Sequence, residues 1–427
     1  MDQLSICQSI ISTLHNTLKS ADFMNKHRLK GRFIRKRKLS MFQTVLFLLF
    51  ASRASLYQNL ATIKEDLPLL SFPTISKQAL SKARQGILPS LFETLFHLSS
   101  AIYYDKLLAR KTWHGYHLFA IDGTRLTLPP TTKNLKVFGE KHYMKSRPDK
   151  KWCLALGSTL YDVLEDMIVH GSIHPSSFSE RSAALLHLEH LESMDLQHDS
   201  IIIFDRGYYS QAMYRYFVSK GYYCLMRLSR ATKIATRQTL NDTTIPLIGV
   251  SKKGDFPVPI RLIQVELESG ETEYLATNLM DESITPAMFK TLYFKRWSIE
   301  SKYNEIKNQL ELEEFNGNTS VSIQQEFFIS LMFSNLSAVV KSEADRRIRS
   351  RNKDTNKSQY QANRSFILGR IRKMLPKLLC GQSSFYTLVD LFNDAYRNRS
   401  QIQPNRKYER KKPKIYIRHF QNKKAII

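Results

Sequence analysis

The chain has 427 residues, 42% of them hydrophobic and 24% charged, which predicts several folded domains and excludes a disordered or fibrous protein. Its 64 Lys and Arg face only 38 Asp and Glu, a net charge of +26. Such an excess is self-repulsive unless a polyanion offsets it, and nucleic acid is the usual one; loose association with ribosomes or membranes is the plainer alternative.

Met1–Lys19 lacks the basic start and apolar block of a signal peptide. Apolar positions recur at helical spacing through Ile6–Leu18, Thr44–Leu60 and Leu88–Ile102. The most apolar stretch, Met41–Ala51, has about half the ~20 residues that span a bilayer and reads as a buried helix of a soluble protein. Basic residues gather at Lys26–Lys38. After Pro73, the segment Thr74–Arg84 has helix-start chemistry and carries Lys77, Lys82 and Arg84. It suits a helix-turn-helix reader of DNA as well as it suits an ordinary solvated helix face.

From Trp113 the pattern changes. His117–Ile121 reads as a short buried strand opening into a turn at Asp122-Gly123. Lys151–Tyr161 and Asp166–Ser172 are two more strands, joined by a turn in which Asp162, Glu165 and Asp166 are expected to be solvated. Ser179–Ser193 is helical, and Ser200–Phe204 is the clearest buried strand, ending on Asp205. Residues 207–289 interrupt this order and turn strand-rich, with Pro259–Glu268 and Glu273–Asn278 flanking Ser269-Gly270 as a hairpin. The last eighty or so residues are helical and basic. Between Arg406 and Lys424 the tail carries nine cations against Glu409, the mark of a polyanion-binding arm. Cys7, Cys153, Cys224 and Cys380 are widely spaced, which excludes a zinc knuckle and suits reduced cytoplasm. His170-x3-His174 and His187-x2-His190 lack the partners a zinc site needs.

The stretch Tyr293 to Lys307 carries the chemistry. As one helix at ~100° per residue, it places Tyr293, Arg296, Glu300 and Lys307 within an arc of roughly 60°. Leu292, Ile299, Ile306 and Leu310 fall on a neighbouring stripe that faces the core, and Trp297 is expected in the core as well. Glu300 with the two strand-end carboxylates Asp122 and Asp205 could hold Mg²⁺, which prefers hard oxygen ligands. Two such ions, roughly 3.5–4 Å apart, stabilise the attacking and leaving oxygens of a phosphoryl displacement. Arg296 and Lys307 could grip phosphates, one by a fork and the other as a point charge, while Tyr293 donates or stacks.

Tyr293-x2-Arg296-x3-Glu300-x6-Lys307 resembles the "YREK" signature of the insertion-sequence-four family of DDE transposases. Ile-Asp122-Gly-Thr, Phe-Asp205-Arg-Gly-Tyr and Glu314-Phe-Asn-Gly317 agree with the text around that family's site, and the likeness runs from about residue 30 to the basic tail. The resemblance implies an α/β chain with a ribonuclease-H-like catalytic domain over 111–206 and 290–345, and a strand-rich insertion over 207–289. A helical DNA-binding domain over 1–110 and a basic helical region over 346–427 complete it. It also implies two Mg²⁺ or Mn²⁺ ions, no organic cofactor, no membrane, and double-stranded DNA (element ends and target) as partner to a homodimer in the prokaryotic cytoplasm and nucleoid. Cleavage is expected to expose a 3′-hydroxyl and to pass through a hairpin before strand transfer. Relatives can stack a flipped base on an aromatic of the insertion, often Trp; here all three Trp lie elsewhere, and Tyr222, Tyr223 or Phe256 could substitute, with nothing in the sequence selecting one. The rivals are a catalytically idle DNA-binding relative, which calls for a broken triad, and a nuclease of the same fold that cuts without joining.

Overall fold

The computed structural model describes residues 1–35, 37–142, 151–234, 240–248, 256–267, 270–351, 358–381 and 385–403. The basic tail after residue 403 and Ser269 of the expected hairpin turn lie outside them.

Helices come first: α1 (Gln3–Lys19), α2 (Ala21–Lys26), α3 (Met41–Phe50), α4 (Leu56–Asp66), α5 (Lys77–Arg84) and α6 (Ser90–Lys106). Capping boxes start α3 at Ser40/Gln43 and α4 at Ser55/Gln58. The helix expected over Thr44–Leu60 therefore breaks in two. Asn59 fixes the break by accepting from the Ser52 N–H and donating to the Ser52 and Ala54 carbonyls. There follow β1 (His117–Leu128), α7 (Thr132–Phe138), β2 (Glu140–His142), β3 (Lys151–Asp162), β4 (Met167–Pro175), α8 (Glu180–Ser193), β5 (Ser200–Phe204), α9 (Gln211–Lys220) and β6 (Tyr223–Leu228). The chain continues through β7 (Asp242–Leu247), β8 (Val258–Glu266), β9 (Thr272–Thr277), α10 (Pro286–Phe294), α11 (Trp297–Asn304) and α12 (Ser320–Arg349). It ends with β10 (Tyr360–Ala362), α13 (Arg364–Leu379), α14 (Phe385–Arg397) and β11 (Arg399–Gln401). Among the described residues no helix is long and apolar enough to cross a membrane.

These elements form two compact units. The first joins Met1–Leu108, Thr127–Leu154 and Glu305–Ile427, so the amino- and carboxy-terminal helices share one body. At its centre α12 packs on α1, α6, α13 and α14, and is buried nearly all round from Ser322 to Val340. That core contains Glu326. Its carboxylate accepts from Arg84 at 2.8 Å and from the Asn316 N–H at 3.0 and 3.1 Å, and pairs with Arg53.

The second unit comprises Ala109–Leu126 and Ala155–Asn304 and is built on a mixed sheet. β5 lies between β1 and β6, parallel to both, and β3 and β4 form an antiparallel hairpin beside β1. All five residues of β5 are buried, as its unbroken apolar run requires of a central parallel strand. The order β4-β3-β1-β5-β6 then continues through β9, β8 and β7, each antiparallel to its neighbour. The strands within the expected insertion, residues 207–289, belong to this same sheet.

Two local expectations are corrected. β1 does not stop at Asp122 but runs on to Leu128, so Asp122 lies within a strand and not at a turn. The β3–β4 turn is not a solvated acidic loop, because Asp162 and Glu165 are only 2% and 3% exposed. Asp162 accepts from the N–H groups of Leu164 and Glu165, and Glu165 accepts from the Lys111 N–H and ammonium. Asp166, at the left-handed φ of 60°, accepts from the Tyr161 hydroxyl and pairs with Lys302, each at 2.7 Å.

Candidate active site

The register of the parallel strands sets the site. Ala120 pairs with Ile203, so Asp122 and Asp205 each lie two residues past that pair, at one level and on one face. Ile203 is level with Leu225 of β6, which brings Arg227 level with Asp205. The Arg227 guanidinium stands 3.9 Å from Asp205 and 2.8 Å from Glu273.

The segment expected as one helix from Tyr293 to Lys307 is instead broken. The N–H groups of Lys295 and Arg296 close tight turns onto Leu292 and Tyr293, α11 starts at Trp297, and residues Glu305–Gln309 form a wider π turn. The break keeps the apolar stripe inside, since Leu292, Ile299, Ile306 and Leu310 are all buried. It turns Trp297 outward to 40% exposure, against the expectation of a core residue.

Three of the four signature residues, Tyr293, Arg296 and Glu300, meet the two aspartates here. The Tyr293 hydroxyl donates to Asp205 at 3.2 Å. Arg296, 3% exposed, lies over the Tyr293 and Trp297 rings, 2.8 Å from Glu300 and 3.9 Å from Asp122. Burial opposes its charge, but Tyr293, Asp205 and Glu300 more than offset this and its pKa rises. Burial pushes the Tyr293 phenol up as well. The Asp122 carboxyl is pushed up to about 6, first by burial and then by Asp205 and Glu180, against the Gly123 N–H and Arg296, which favour its charge. Its backbone carbonyl accepts from the Tyr303 hydroxyl at 2.6 Å and from Ser158 at 3.3 Å. Tyr303 lies one turn beyond Glu300, so its phenol ties α11 to β1.

The remaining expected site residues lie in the helical unit. Lys307 is 3.9 Å from Glu313. Lys77 is exposed and sits over the Tyr57 ring. Lys82 is exposed and lines a groove of about 1080 Å³ with Arg32, Arg35, Arg37 and Lys38, where no carboxylate is among the lining residues. Arg84 differs from the expectation of a DNA contact. It is 7% exposed, and its guanidinium donates to Gln325, the Ser322 carbonyl and Glu326.

Arg227, Glu273, Tyr303 and Glu180 were not found by motif. The glycines give a trace of Glu180: a Cβ on Gly123 meets its Cγ at 3.2 Å, and one on Gly207 meets its carboxylate at 3.9 Å. The histidines flanking the hairpin form a stack. His170 and His187 share a hydrogen bond of 2.7 Å, the His190 ring lies on His170, and His187 meets the Ser158 hydroxyl at 2.9 Å.

Residues 113–336, more than half of the chain, match the family model described as the Transposase DDE domain, and the chain belongs to that family. A protein of Sinorhizobium fredii named "Putative transposase y4zB" is 30% identical over 95 residues, which span 22% of this chain and 25% of the relative. A cryo-EM structure of the piggyBac transposase synaptic complex with hairpin DNA aligns with a TM-score of 0.46 at 11% identity, over 92% of this chain and 85% of that one.

Proposed function

We propose that this member of the transposase DDE family cuts DNA at the ends of a mobile element and joins the exposed 3′-hydroxyls to target DNA. Asp122, Asp205 and Glu300 are the carboxylates of the reaction. The observation that carries this is the register: two aspartates at one level on neighbouring parallel strands, with Tyr293, Arg296 and Glu300 bonded into them. The order β4-β3-β1-β5-β6, a hairpin beside three parallel strands, supports the ribonuclease-H-like reading of the core.

The aspartates fit a hard divalent cation, Mg²⁺ or Mn²⁺. Beside them the buried Tyr208 hydroxyl has no hydrogen-bond partner among the described residues, although Asp122, Asp205 and Glu180 all act on it electrostatically. Among the described residues no three His, Cys, Asp or Glu side chains form a ready cation site, and Arg296 stands between Asp122 and Glu300. Glu300 joins the aspartates once Arg296 turns to a DNA phosphate, whose two oxygens match a guanidinium fork. Bound cations supply Lewis-acid stabilisation of the entering and leaving oxygens. The protein's own part is positioning. Tyr293 holds Asp205, Tyr303 holds the strand of Asp122, and Arg296, Arg227 and Lys307 supply positive charge for phosphates. The basic groove at Lys82, with Lys77 nearby in sequence, suits the sugar-phosphate backbone of the element ends. Pairing two ends calls for two copies of the chain, a homodimer on DNA.

The test is a labelled duplex carrying the element's terminal repeat, incubated with and without Mg²⁺, beside Glu300→Ala. Metal-dependent nicks together with hairpin or joined products, all lost in Glu300→Ala, are expected. Cleavage without joining leaves a nuclease, and equal binding by both proteins with no product leaves a DNA-binding relative.

A further inference from the structure

We propose that the helical unit contains a second anion site, specific for a phosphate-type oxyanion and centred on Arg372. A cavity of about 90 Å³, room for several waters or one small oxyanion, lies among α3, α5, α12, α13 and the loop Asn316–Thr319. Three guanidiniums line it, those of Arg53, Arg84 and Arg372, against one carboxylate, Glu326. Arg53 and Arg84 are both committed to Glu326. Arg372 has neither a hydrogen bond nor an ion pair among the described residues, and Glu311 and Glu326 act on it only through space.

Arg372 is half-buried and its guanidinium has no acceptor among the described residues; it is pushed down to about 10, first by burial and then by Arg53. It stays charged at neutral pH, so the cavity holds a standing cation that lacks a counter-ion. The remaining lining suits an oxyanion. Ser81, Thr319 and Ser330 offer hydroxyls, and the cavity reaches solvent at Ser81 and Asn318, which are exposed. Gly317 permits the close wall: a Cβ there meets the Ser322 Oγ at 2.4 Å and an Arg84 nitrogen at 3.0 Å. Arg372 can thus meet two oxygens of one phosphate by its fork, with hydroxyls for the others. A DNA phosphodiester and free phosphate share this chemistry. The site stands independently of the reading of Asp122, Asp205 and Glu300.

The full chain is melted in sodium chloride and in sodium phosphate of equal ionic strength, beside Arg372→Met and Arg372→Lys. Wild type gains more from phosphate than Arg372→Met does, which removes the general stabilising effect of phosphate on any protein. Arg372→Lys falls between, since it keeps the charge and loses the fork. In chloride, Arg372→Met melts above wild type, because a partly desolvated charge repelled by Arg53 has gone. Equal gains from phosphate in wild type and Arg372→Met overturn the site. So does a lower melting point of Arg372→Met in chloride, which makes Arg372 a structural cation. Fluorescence anisotropy with a labelled duplex then separates the sources. Several-fold weaker binding by Arg372→Met assigns the site to a phosphodiester, and unchanged duplex binding with a lost phosphate gain assigns it to the free anion.

Discussion

Arg84→Ala separates two accounts of the same residue. By sequence Arg84 sits on a basic helix and suits a DNA contact, and removing an exposed side chain changes stability by no more than about 0.5 kcal/mol. In the structure its side chain is 8% exposed and holds Gln325, the Ser322 carbonyl and Glu326. Breaking a buried ion pair from one side costs roughly 3–5 kcal/mol. The lower end applies, because Glu326 keeps Arg53 and the Asn316 N–H. About 3 kcal/mol lowers the melting point of a unit of this size by about 6–12 °C. The deficit also depends on pH. Burial alone raises the Glu326 carboxyl, but Arg84, Arg53 and the Asn316 N–H outweigh it and hold the pKa below its ordinary 4.5. A depressed carboxylate stabilises the fold above its unfolded value, and that contribution is lost as pH falls through the folded one. Without Arg84 the contribution shrinks, so the gap between variant and wild type is full at pH 7 and narrows below the ordinary value of 4.5. Thermal unfolding followed by circular dichroism across that range measures it. A variant that melts within a degree or two of wild type, yet binds duplex DNA more weakly, refutes the reasoning and returns Arg84 to the DNA-facing surface.

Tyr303→Phe keeps the ring and removes the hydroxyl that accepts from Thr159 and donates to the Asp122 carbonyl. It costs about 1 kcal/mol of stability but raises the Mg²⁺ concentration for half-maximal cleavage; an unchanged metal requirement makes the bond merely structural. Gly123→Ala places a Cβ 2.9 Å from Leu156 Cδ1 and 3.2 Å from Glu180 Cγ, an overpacking expected to cost about 1–3 kcal/mol in a denaturant titration. Burial pushes the Cys7 and Cys153 thiols up to about 12 and about 11, and Cys224 up as well, while Cys380 is only partly buried. A thiol reagent at pH 8 therefore labels Cys380 first in the folded chain, and equal rates at all four oppose this placement.

Much of the site was legible because its signals are local. Ser200–Phe204 reads as a buried strand from its own composition, and Asp205 follows from where that run ends. The spacing of Tyr293, Arg296 and Glu300 survives the break at Lys295–Arg296, since a tight turn moves neighbours one to four residues apart only slightly. What could not be read depends on partners distant in sequence. Arg84 looks like any basic residue of an amphipathic helix until Glu326, 242 residues later, is placed beside it. Asp162 and Glu165 resemble a solvated turn because nothing near them shows that Lys111 and main-chain N–H groups will satisfy them. The strands after Gly207 carry the alternation of any antiparallel segment, and periodicity does not tell which sheet a strand joins.

The charge balance shows the same limit from the other side. A net +26 predicts a polyanionic partner but says nothing about which cations meet it. In the folded units the cations divide by what surrounds them. Arg84 and Arg53 are consumed by Glu326 and serve stability, whereas Arg296 is shared between Asp122 and Glu300 and can change partner only if another anion replaces them. Arg32, Arg35, Arg37, Lys38 and Lys82 gather in a groove with no carboxylate among its described lining residues, so an external polyanion relieves their mutual repulsion best. A cation's value for binding DNA therefore follows from the acids its fold denies it, and sequence counts, which pool all of them, overstate Arg84 and understate the segment from Arg32 to Lys38.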